Sequence, residues 1–196
     1  MAASREAVLA AIREAGLPPT ALPPPWRPDT PETEGLFEQF AAALEEAGGT
    51  ARRVRAASLS GELEEHARAL AASTLYSTHP ALPSRHGDRA PRAPHDLAHL
   101  DLAILAGGPA VAESGAVWVV PESGLDRAAG FLAEHVALVV DAGALVGDLH
   151  EAYARIDPAA AGFGCFMAGP SKTADIEQVL VVGAHGARTL TAFVVG

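Results

Sequence analysis

The second half of the chain is built from short apolar runs that are separated by helical or turn-forming segments. Residues 102–106, 116–120 and 136–140 are apolar throughout, and residues 163–167 and 189–195 add two similar runs. Strands of this kind, without polar alternation, are typical of parallel sheets that are buried on both faces. We therefore expect an α/β protein with a mostly parallel sheet covered on each side by other elements.

Apolar side chains at helical spacing mark a second set of elements. They predict helices over residues 4–15, 33–47, 58–70 and 143–156. Residues 175–181 are expected to be helical or to begin as a helix. Short strands are expected at residues 51–56 and 75–76. The proline-rich residues 17–31 predict an extended surface connector, because proline fixes φ and has no N–H to donate. We treat residues 1–32 as an N-terminal helical arm and residues 33–196 as one α/β domain.

Charge and hydropathy exclude two classes of protein. The formal net charge is -10, aromatic residues make up 5%, and no run rich in lysine or arginine occurs. Nucleic-acid binding normally needs a basic surface to neutralise phosphates, so we do not expect a nucleic-acid partner. The apolar runs are shorter than a membrane span requires, and the first sixteen residues are amphipathic, unlike a secretory signal. We expect a cytoplasmic protein.

Cys165 is the single cysteine of the chain. One thiol cannot form an internal disulfide, and it cannot hold an iron–sulfur cluster alone. Its neighbours are apolar, which is typical of a small buried residue rather than a nucleophile. Any iron–sulfur chemistry connected with this protein would therefore need partner proteins.

The turn Ala112-Glu113-Ser114-Gly115 is the first candidate site. It follows the predicted strand 102–106 and precedes another strand, and ligands of open α/β sheets gather outside the carboxyl ends of strands. Glu113 in such a place could act as a nucleophile or a general base. The alternative is an ordinary turn, in which Ser114 and Gly115 supply flexibility and Glu113 is solvated.

Residues 169–177 are the second candidate site, because they lie between a predicted strand and a predicted helix. Backbone N–H groups at a helix start favour an anion, and the hydroxyl and ammonium groups here could add donors. The acidic residues could instead orient neutral or cationic partners, and ordinary helix capping is the structural alternative. The Walker A pattern is absent. The candidate ligand-binding residues are Gly169, Ser171, Lys172, Thr173, Asp175 and Glu177.

Two histidine patterns complete the set. His185 precedes Gly186, and histidine is the natural proton carrier near neutral pH, although a turn histidine with a local hydrogen bond is the alternative. His95 and His99 have the spacing of two zinc ligands on a helix. Aspartate replaces the usual glutamate between them, Pro94 precedes them, and the sequence suggests no third ligand. We expect a surface turn there and no metal site.

Three segments of the second half together resemble the LutC/YkgG proteins, the LUD-domain family of lactate utilisation. They are Ala112-Glu113-Ser114-Gly115, residues 169–177 (GPSKTADIE) and residues 180–186 (LVVGAHG), in that order. The resemblance implies a Rossmann-like three-layer α/β sandwich, similar to the NagB/RpiA/CoA-transferase group. We expect a pocket for a small anionic ligand, with Glu113, Ser114 and Gly115 in one wall. Ser171, Thr173 and Asp175 would form the facing wall, and His185 would lie nearby.

The resemblance further implies a role beside iron–sulfur companions that oxidise L-lactate to pyruvate. This chain would then be the subunit or accessory protein that binds no cofactor, and the clusters would lie on its partners. By analogy of fold with CoA transferases, Glu113 could instead be the nucleophile of a stand-alone enzyme acting on an anionic small molecule or a CoA ester. A regulatory module that binds a carboxylate is the third reading. Glu113 and His185 are the candidate catalytic residues, and the sequence leaves open whether catalysis occurs on this chain.

Overall fold

The structure of the chain is a computed structural model that describes residues 2–16, 21, 35–86, 90–157, 159, 162–173 and 181–196. It divides into two compact units, Met1–Thr30 and Pro31–Gly196. The first unit contains helix α1, Ala2–Glu14. The predicted connector at residues 17–31 lies outside the described residues, apart from Ala21. The proposed domain boundary between residues 32 and 33 stays a prediction.

The described part of the second unit contains four more α-helices and eleven short strands. The helices are α2 (Leu36–Glu46), α3 (Leu59–Ala69), α4 (Gly124–Leu132) and α5 (Leu149–Arg155). The strands are β1 (Thr50–Val54), β2 (Leu75–Ser77), β3 (Leu102–Ala106), β4 (Ala110–Val111), β5 (Ala116–Val119), β6 (His135–Asp141), β7 (Leu145–Val146), β8 (Cys165–Met167), β9 (Lys172–Thr173), β10 (Val181–Val182) and β11 (Thr189–Val195).

Five strands form one parallel sheet, which we call the main sheet, in the order β1-β11-β6-β3-β2. A second sheet has the order β7-β4-β5-β8, with β4 parallel to β7 and the other two pairs antiparallel. Strands β9 and β10 form an antiparallel pair of their own. The predicted α/β architecture with a mostly parallel sheet is thus confirmed.

The main sheet is the middle of three layers. Successive side chains of a strand point to opposite faces. On β3, Leu102 and Ile104 pack against α3 together with Phe193 of β11. Ala103 and Leu105 point the other way and join the larger core cluster, which also contains residues of α2, α4 and the second sheet. Because both faces are covered, the interior positions of these strands are apolar on both sides, as residues 102–106 and 136–140 show.

Local sequence sets the direction in which the chain enters the sheet. Helix α2 ends where Gly48 and Gly49 donate to the carbonyl groups of Glu45 and Leu44, and β1 begins directly afterwards at Thr50. Ser123 caps helix α4, because its hydroxyl accepts the N–H of Asp126 at 3.1 Å. The C-terminal end of α2 therefore lies beside the amino end of β1.

The helix predicted over residues 143–156 is wrong in its first half. Ala142–Ala144 form a 3₁₀ turn and Leu145–Val146 form β7, so that α5 begins only at Leu149. The physical reason is that β7 pairs with β4, while Asp148 caps α5. Val181, the last residue of the segment expected to be helical or to begin as a helix, begins β10, and residues 174–180 lie outside the described residues. In the part of the chain that is described, no helix has the length and apolar character needed to span a membrane.

Candidate functional site

The two motifs singled out in the sequence meet the same helix. Gly115 has φ 64°, and a Cβ atom there would lie 2.4 Å from the backbone nitrogen of Leu44. Gly169 has φ 68°, and its Cβ would lie 2.2 Å from the carbonyl oxygen of Ala47. Both backbones approach the last turns of α2 so closely that only glycine fits. Lys172 reinforces the contact because its Nζ donates to the same Ala47 oxygen.

Glu113 is engaged in capping helix α5. Its Oε1 accepts the backbone N–H of Leu149 at 2.9 Å, while the Oδ1 of Asp148 accepts that of Glu151 at 2.8 Å. The backbone N–H of Glu113 donates to the carbonyl of Gly147 at 3.1 Å, which ties the turn to the same helix start. Next to it, the buried Oγ of Ser114 has no hydrogen-bond partner among the described residues. The carboxylate of Glu113 thus has a structural task.

Ser171 is joined to the loop that carries His185. Its backbone N–H donates to Ala187, and its carbonyl accepts from Gly183, both at 2.8 Å. A Cβ atom on Gly186 would lie 3.0 Å from the Cβ of Ser171. Thr173 belongs to the strand pair β9–β10 rather than to a helix start, so the expected strand-to-helix anion site is absent from the described part of this segment. Asp175 and Glu177 lie outside the described residues.

His185 lines a cavity at the amino edge of the main sheet, with a volume of about 590 Å³. Its polar neighbours precede β3, β6 and β11 and include Asp101, Glu134 and Arg188. Arg188 pairs with Glu134 at 2.6 Å. Burial raises the pKa of Asp101, but hydrogen bonds from Thr74 and Ser73 outweigh it and leave the pKa below its ordinary value. The acidic and basic groups at this edge therefore already have partners.

His99 lines the same amino-edge cavity, and His95 lies in the 3₁₀ turn Pro94–Leu97. The two histidines do not lie on one face of an α-helix, so their spacing does not bring them together as a pair of zinc ligands. Within the described ranges, no group of three or more histidine, cysteine, aspartate or glutamate side chains could hold a metal ion.

A second cavity, of about 640 Å³, lies at the opposite edge, and we call it the carboxyl-edge cavity. Its walls come from the carboxyl ends of four neighbouring strands, β11, β6, β3 and β2, and from the start of α3. Open α/β sheets bind their ligands in this position. It is an open cleft with mostly apolar walls, and its volume lies within the range of small-molecule sites. It is lined by Ala56, Leu59, His79, Pro80, Ala81, Ala106, Gly107, Val139, Asp141 and Val195.

The carboxyl-edge cavity has two polar side chains, His79 and Asp141. The Nδ1 of His79 accepts the backbone N–H of Ala81 at 3.2 Å. Burial lowers the pKa of His79, so the ring is neutral at pH 7 and carries its proton on Nε2. The Oδ1 of Asp141 accepts the N–H of Gly143 at 2.7 Å, which holds the carboxylate at the end of β6.

A smaller cavity of about 270 Å³ lies beside the ends of β2 and β3 and has acidic walls, with Glu122 and Asp126. The hydroxyl of Tyr76 donates to Oδ1 of Asp126 at 2.6 Å. Burial, together with this hydrogen bond, raises the pKa of Tyr76 to about 12. The Oγ1 of Thr78 accepts the N–H of Ala106 at 3.0 Å, which extends the contact between β2 and β3 past the last residue of β2.

His79 and Asp141 were missed in the sequence, although a signal was available. Asp141 ends β6, and His79 follows β2 by two residues. This is the same positional rule that directed attention to Glu113. The rule can be applied only when it is known at which edge of the sheet each strand ends. The sequence indicates where strands end, but it does not show which of the turns that follow them lie at the same edge of the sheet.

The layered core, the parallel sheet and the crevice outside its carboxyl edge define a Rossmann-like three-layer α/β protein. Residues 37–195 match the sequence model of the LUD domain. The chain therefore belongs to the LUD-domain family, which is associated with lactate utilisation.

A solved structure shares this fold. It is the crystal structure of a DUF162 family protein from Deinococcus radiodurans at 1.70 Å resolution, with a TM-score of 0.62 and 18% sequence identity. The match covers 82% of this chain and 96% of that chain. At this identity, the similarity supports the fold alone. No curated protein matches the chain significantly. The finer LutC/YkgG assignment and the likeness to the NagB/RpiA/CoA-transferase group stay predictions.

Proposed function

We propose that this chain is the subunit without an iron–sulfur cluster, or an accessory protein, of a LutC/YkgG-type system that oxidises L-lactate to pyruvate. The observation that carries the proposal is the LUD-domain match over residues 37–195, which includes every strand of the main sheet. Because the family is associated with lactate utilisation, a role in that process is the most economical one for a chain that is LUD domain over most of its length.

The chemistry of the reaction is the reason for assigning electron transfer to partner proteins rather than to this chain. Oxidation of L-lactate to pyruvate releases two electrons and two protons, and the electrons need an acceptor. A cluster needs several cysteine thiolates, and the chain has Cys165 alone. Cys165 is half-buried in β8, where burial raises the pKa of its thiol and disfavours the thiolate. In this proposal the electrons pass to clusters on partner iron–sulfur proteins.

The placement of Glu113 favours this role over that of a CoA-transferase-like enzyme. One of its carboxylate oxygens already accepts the N–H of Leu149 at the start of α5. Glu113 also lines neither the amino-edge cavity nor the carboxyl-edge cavity. A nucleophilic glutamate needs access to a bound substrate, and this one instead supports a helix.

Purification of the tagged full chain from cells grown on L-lactate tests the proposal. We expect cysteine-rich proteins with iron–sulfur absorption to co-purify, and the complex to be bleached by L-lactate. Deletion of the gene should abolish growth on lactate. Isolation of the chain alone, together with undiminished growth of the deletion strain, would overturn the proposal.

Complementation separates the two readings of Glu113. Glu113→Gln keeps a side-chain oxygen for Leu149, so we expect it to restore growth on lactate as the parent gene does. A nucleophilic Glu113 requires this variant to fail. Glu45→Gln, an exposed change of the same chemistry on α2, is the matched control and should complement fully.

A further inference from the structure

The carboxyl-edge cavity combines apolar walls with one neutral donor and one carboxylate. Leu59, Val139 and Val195 contribute aliphatic surface, while His79 and Asp141 are its ionisable side chains. A few placed polar groups in an apolar cleft fix the orientation of a ligand and determine which functional groups it must carry.

His79 offers a donor without adding a charge. Its Nδ1 is occupied as an acceptor for the N–H of Ala81, so the neutral ring presents Nε2–H as its remaining polar group. A ligand beside His79 must therefore supply an acceptor, such as a carboxylate or carbonyl oxygen.

Asp141 sets the complementary requirement. Its carboxylate is fixed at the end of β6 by the N–H of Gly143. A carboxylate accepts hydrogen bonds and repels other anions, so it favours a ligand that presents a hydroxyl to it. A ligand that satisfies both side chains carries a hydroxyl and an acceptor within one small molecule.

The start of α3 offsets part of the negative charge that such a ligand would bring. A 3₁₀ turn, Ala56–Ser58, runs directly into α3 and has no side-chain cap, and its first residue Ala56 lines the cavity together with Leu59. The amino end of a helix carries partial positive charge. A ligand carboxylate is best placed toward this wall and away from Asp141.

We propose that the carboxyl-edge cavity binds a short 2-hydroxycarboxylate, with its hydroxyl donating to Asp141 and its carboxylate accepting from Nε2 of His79. The choice of L-lactate as the acid rests on the proposed function. The need for a hydroxyl and an acceptor rests on His79 and Asp141, the two polar side chains that line the cavity. The proposal concerns binding and orientation, and it assigns no electron transfer to these residues.

Calorimetric titration of the purified full chain with L-lactate and with propionate tests the proposal, because propionate has the same carbon chain and lacks the hydroxyl. We expect L-lactate to bind about tenfold more tightly, the effect of one additional hydrogen bond to a charged group. Asp141→Asn removes the repulsion and the strong acceptor, so the preference should fall to about twofold or less. Glu122→Gln, the same change at an exposed carboxylate in the neighbouring cavity, should keep the tenfold preference. Equal binding of the two acids by the parent chain overturns the proposal.

Two substitutions at His79 separate its donor from its local structural role. His79→Asn keeps a side-chain acceptor for Ala81 and loses the distal N–H, so L-lactate affinity should drop about tenfold. His79→Gln extends an amide N–H toward the former Nε2 position and should recover part of that loss. If the variants fail to fold, nuclear magnetic resonance of the parent protein tests the proposal, through the chemical shift of the His79 ring. A shift with L-lactate and a smaller one with propionate supports the proposal, and no shift contradicts it.

The failure of this proposal can be distinguished from failure of the proposed function. A complex that co-purifies and oxidises L-lactate equally well with His79→Asn would reject the cavity and leave the function standing. Selective binding of L-lactate by the isolated chain, with no iron–sulfur partner and no growth defect on deletion, would reject the function and leave the cavity standing.

Discussion

Gly115 and Gly169 bring two distant segments of the chain against one helix. Gly115 meets the backbone of Leu44, and Gly169 meets the carbonyl of Ala47, three residues further along α2. Both have positive φ, where a side chain costs about 1–2 kcal/mol even without a clash. The glycines of the two motifs are thus explained by packing, before any contact with a ligand is considered.

Gly115→Ala should lower the free energy of unfolding by about 3 kcal/mol, because it adds backbone strain to a contact that α2 cannot relieve. Urea denaturation measures the change. Gly61→Ala is the matched control, since Gly61 lies in α3 with no atom within 4 Å of an added Cβ. This control should stabilise the protein by about 0.5–1 kcal/mol. Equal effects of the two substitutions would contradict the packing explanation.

His66 makes stability depend on pH. It is 7% exposed, and its Nε2 has no hydrogen-bond partner within the described ranges. Burial, with the charges of Arg52 and His135, lowers the pKa of His66 to about 4. Between pH 6.5 and about 4 the unfolded chain binds a proton that the folded chain does not, so stability present above pH 6.5 is lost as the pH falls.

The free energy of unfolding should therefore fall by at most about 1.4 kcal/mol per pH unit from this residue between pH 6.5 and pH 4. His66→Leu places an apolar side chain that cannot titrate beside Phe193, so it should flatten the pH dependence of the free energy of unfolding in that interval. Urea titrations at several pH values measure the slope. An identical slope in the parent and in His66→Leu would refute the assignment.

At the scale of elements, helix α5 depends on acceptors from two parts of the chain. Asp148 caps it locally, and Glu113 reaches it from the turn between β4 and β5. Asp148→Ala should cost about 1 kcal/mol of stability, the usual value of an N-cap. Glu113→Ala should cost less, about 0.5 kcal/mol, because its bond is exposed to solvent.

Asp148→Asn and Glu113→Gln each retain a side-chain oxygen and serve as controls in the same urea experiment. Both should stay close to the parent protein in stability. If Glu113→Ala were fully neutral while Asp148→Ala destabilised, the bond from Glu113 would have no part in holding α5.

Sequence patterns predict those elements that are long enough for their own residues to show an apolar run or a helical spacing. β3 and β11 occur at the predicted bounds, because each is a buried run long enough to stand out. β4 and β7 have two residues each, too few for any periodicity, and they form by pairing: β7 with β4, and β4 also with β5. The helix expected over residues 143–156 fails for this reason, since pairing by Leu145 outweighs helical spacing.

The residues of the candidate site also form two groups, those that local sequence motifs predict and those that depend on the order of the strands. Sequence motifs led to Glu113 and Ser171, which the structure connects to α5 and to the loop of His185. The carboxyl-edge cavity depends instead on strand order, because β2, β3, β6 and β11 are neighbours in the sheet while their ends lie far apart in the chain. No local pattern around His79 or Asp141 encodes that order.

At the scale of the whole molecule, the main sheet is assembled from the two ends of the second unit. β1 pairs only with β11 in this sheet, and β11 lies between β1 and β6. Contacts of such large sequence separation form late, because a long loop must close before they can stabilise the fold. The sheet therefore cannot be completed until the last strand is present.

Deletion of residues 189–196 should abolish cooperative folding, because it removes the strand between β1 and β6. Leu190, Ala192, Phe193 and Val194 are at most 2% exposed, and their loss would open both core clusters and leave two strand edges unpaired. Circular dichroism during urea denaturation should then show no cooperative transition. A chain without residues 1–30 is the control, because every described member of the hydrophobic core lies between Phe40 and Val194. It should unfold cooperatively, and a cooperative transition in the chain that lacks β11 would show that the order of the sheet does not govern the stability of this fold.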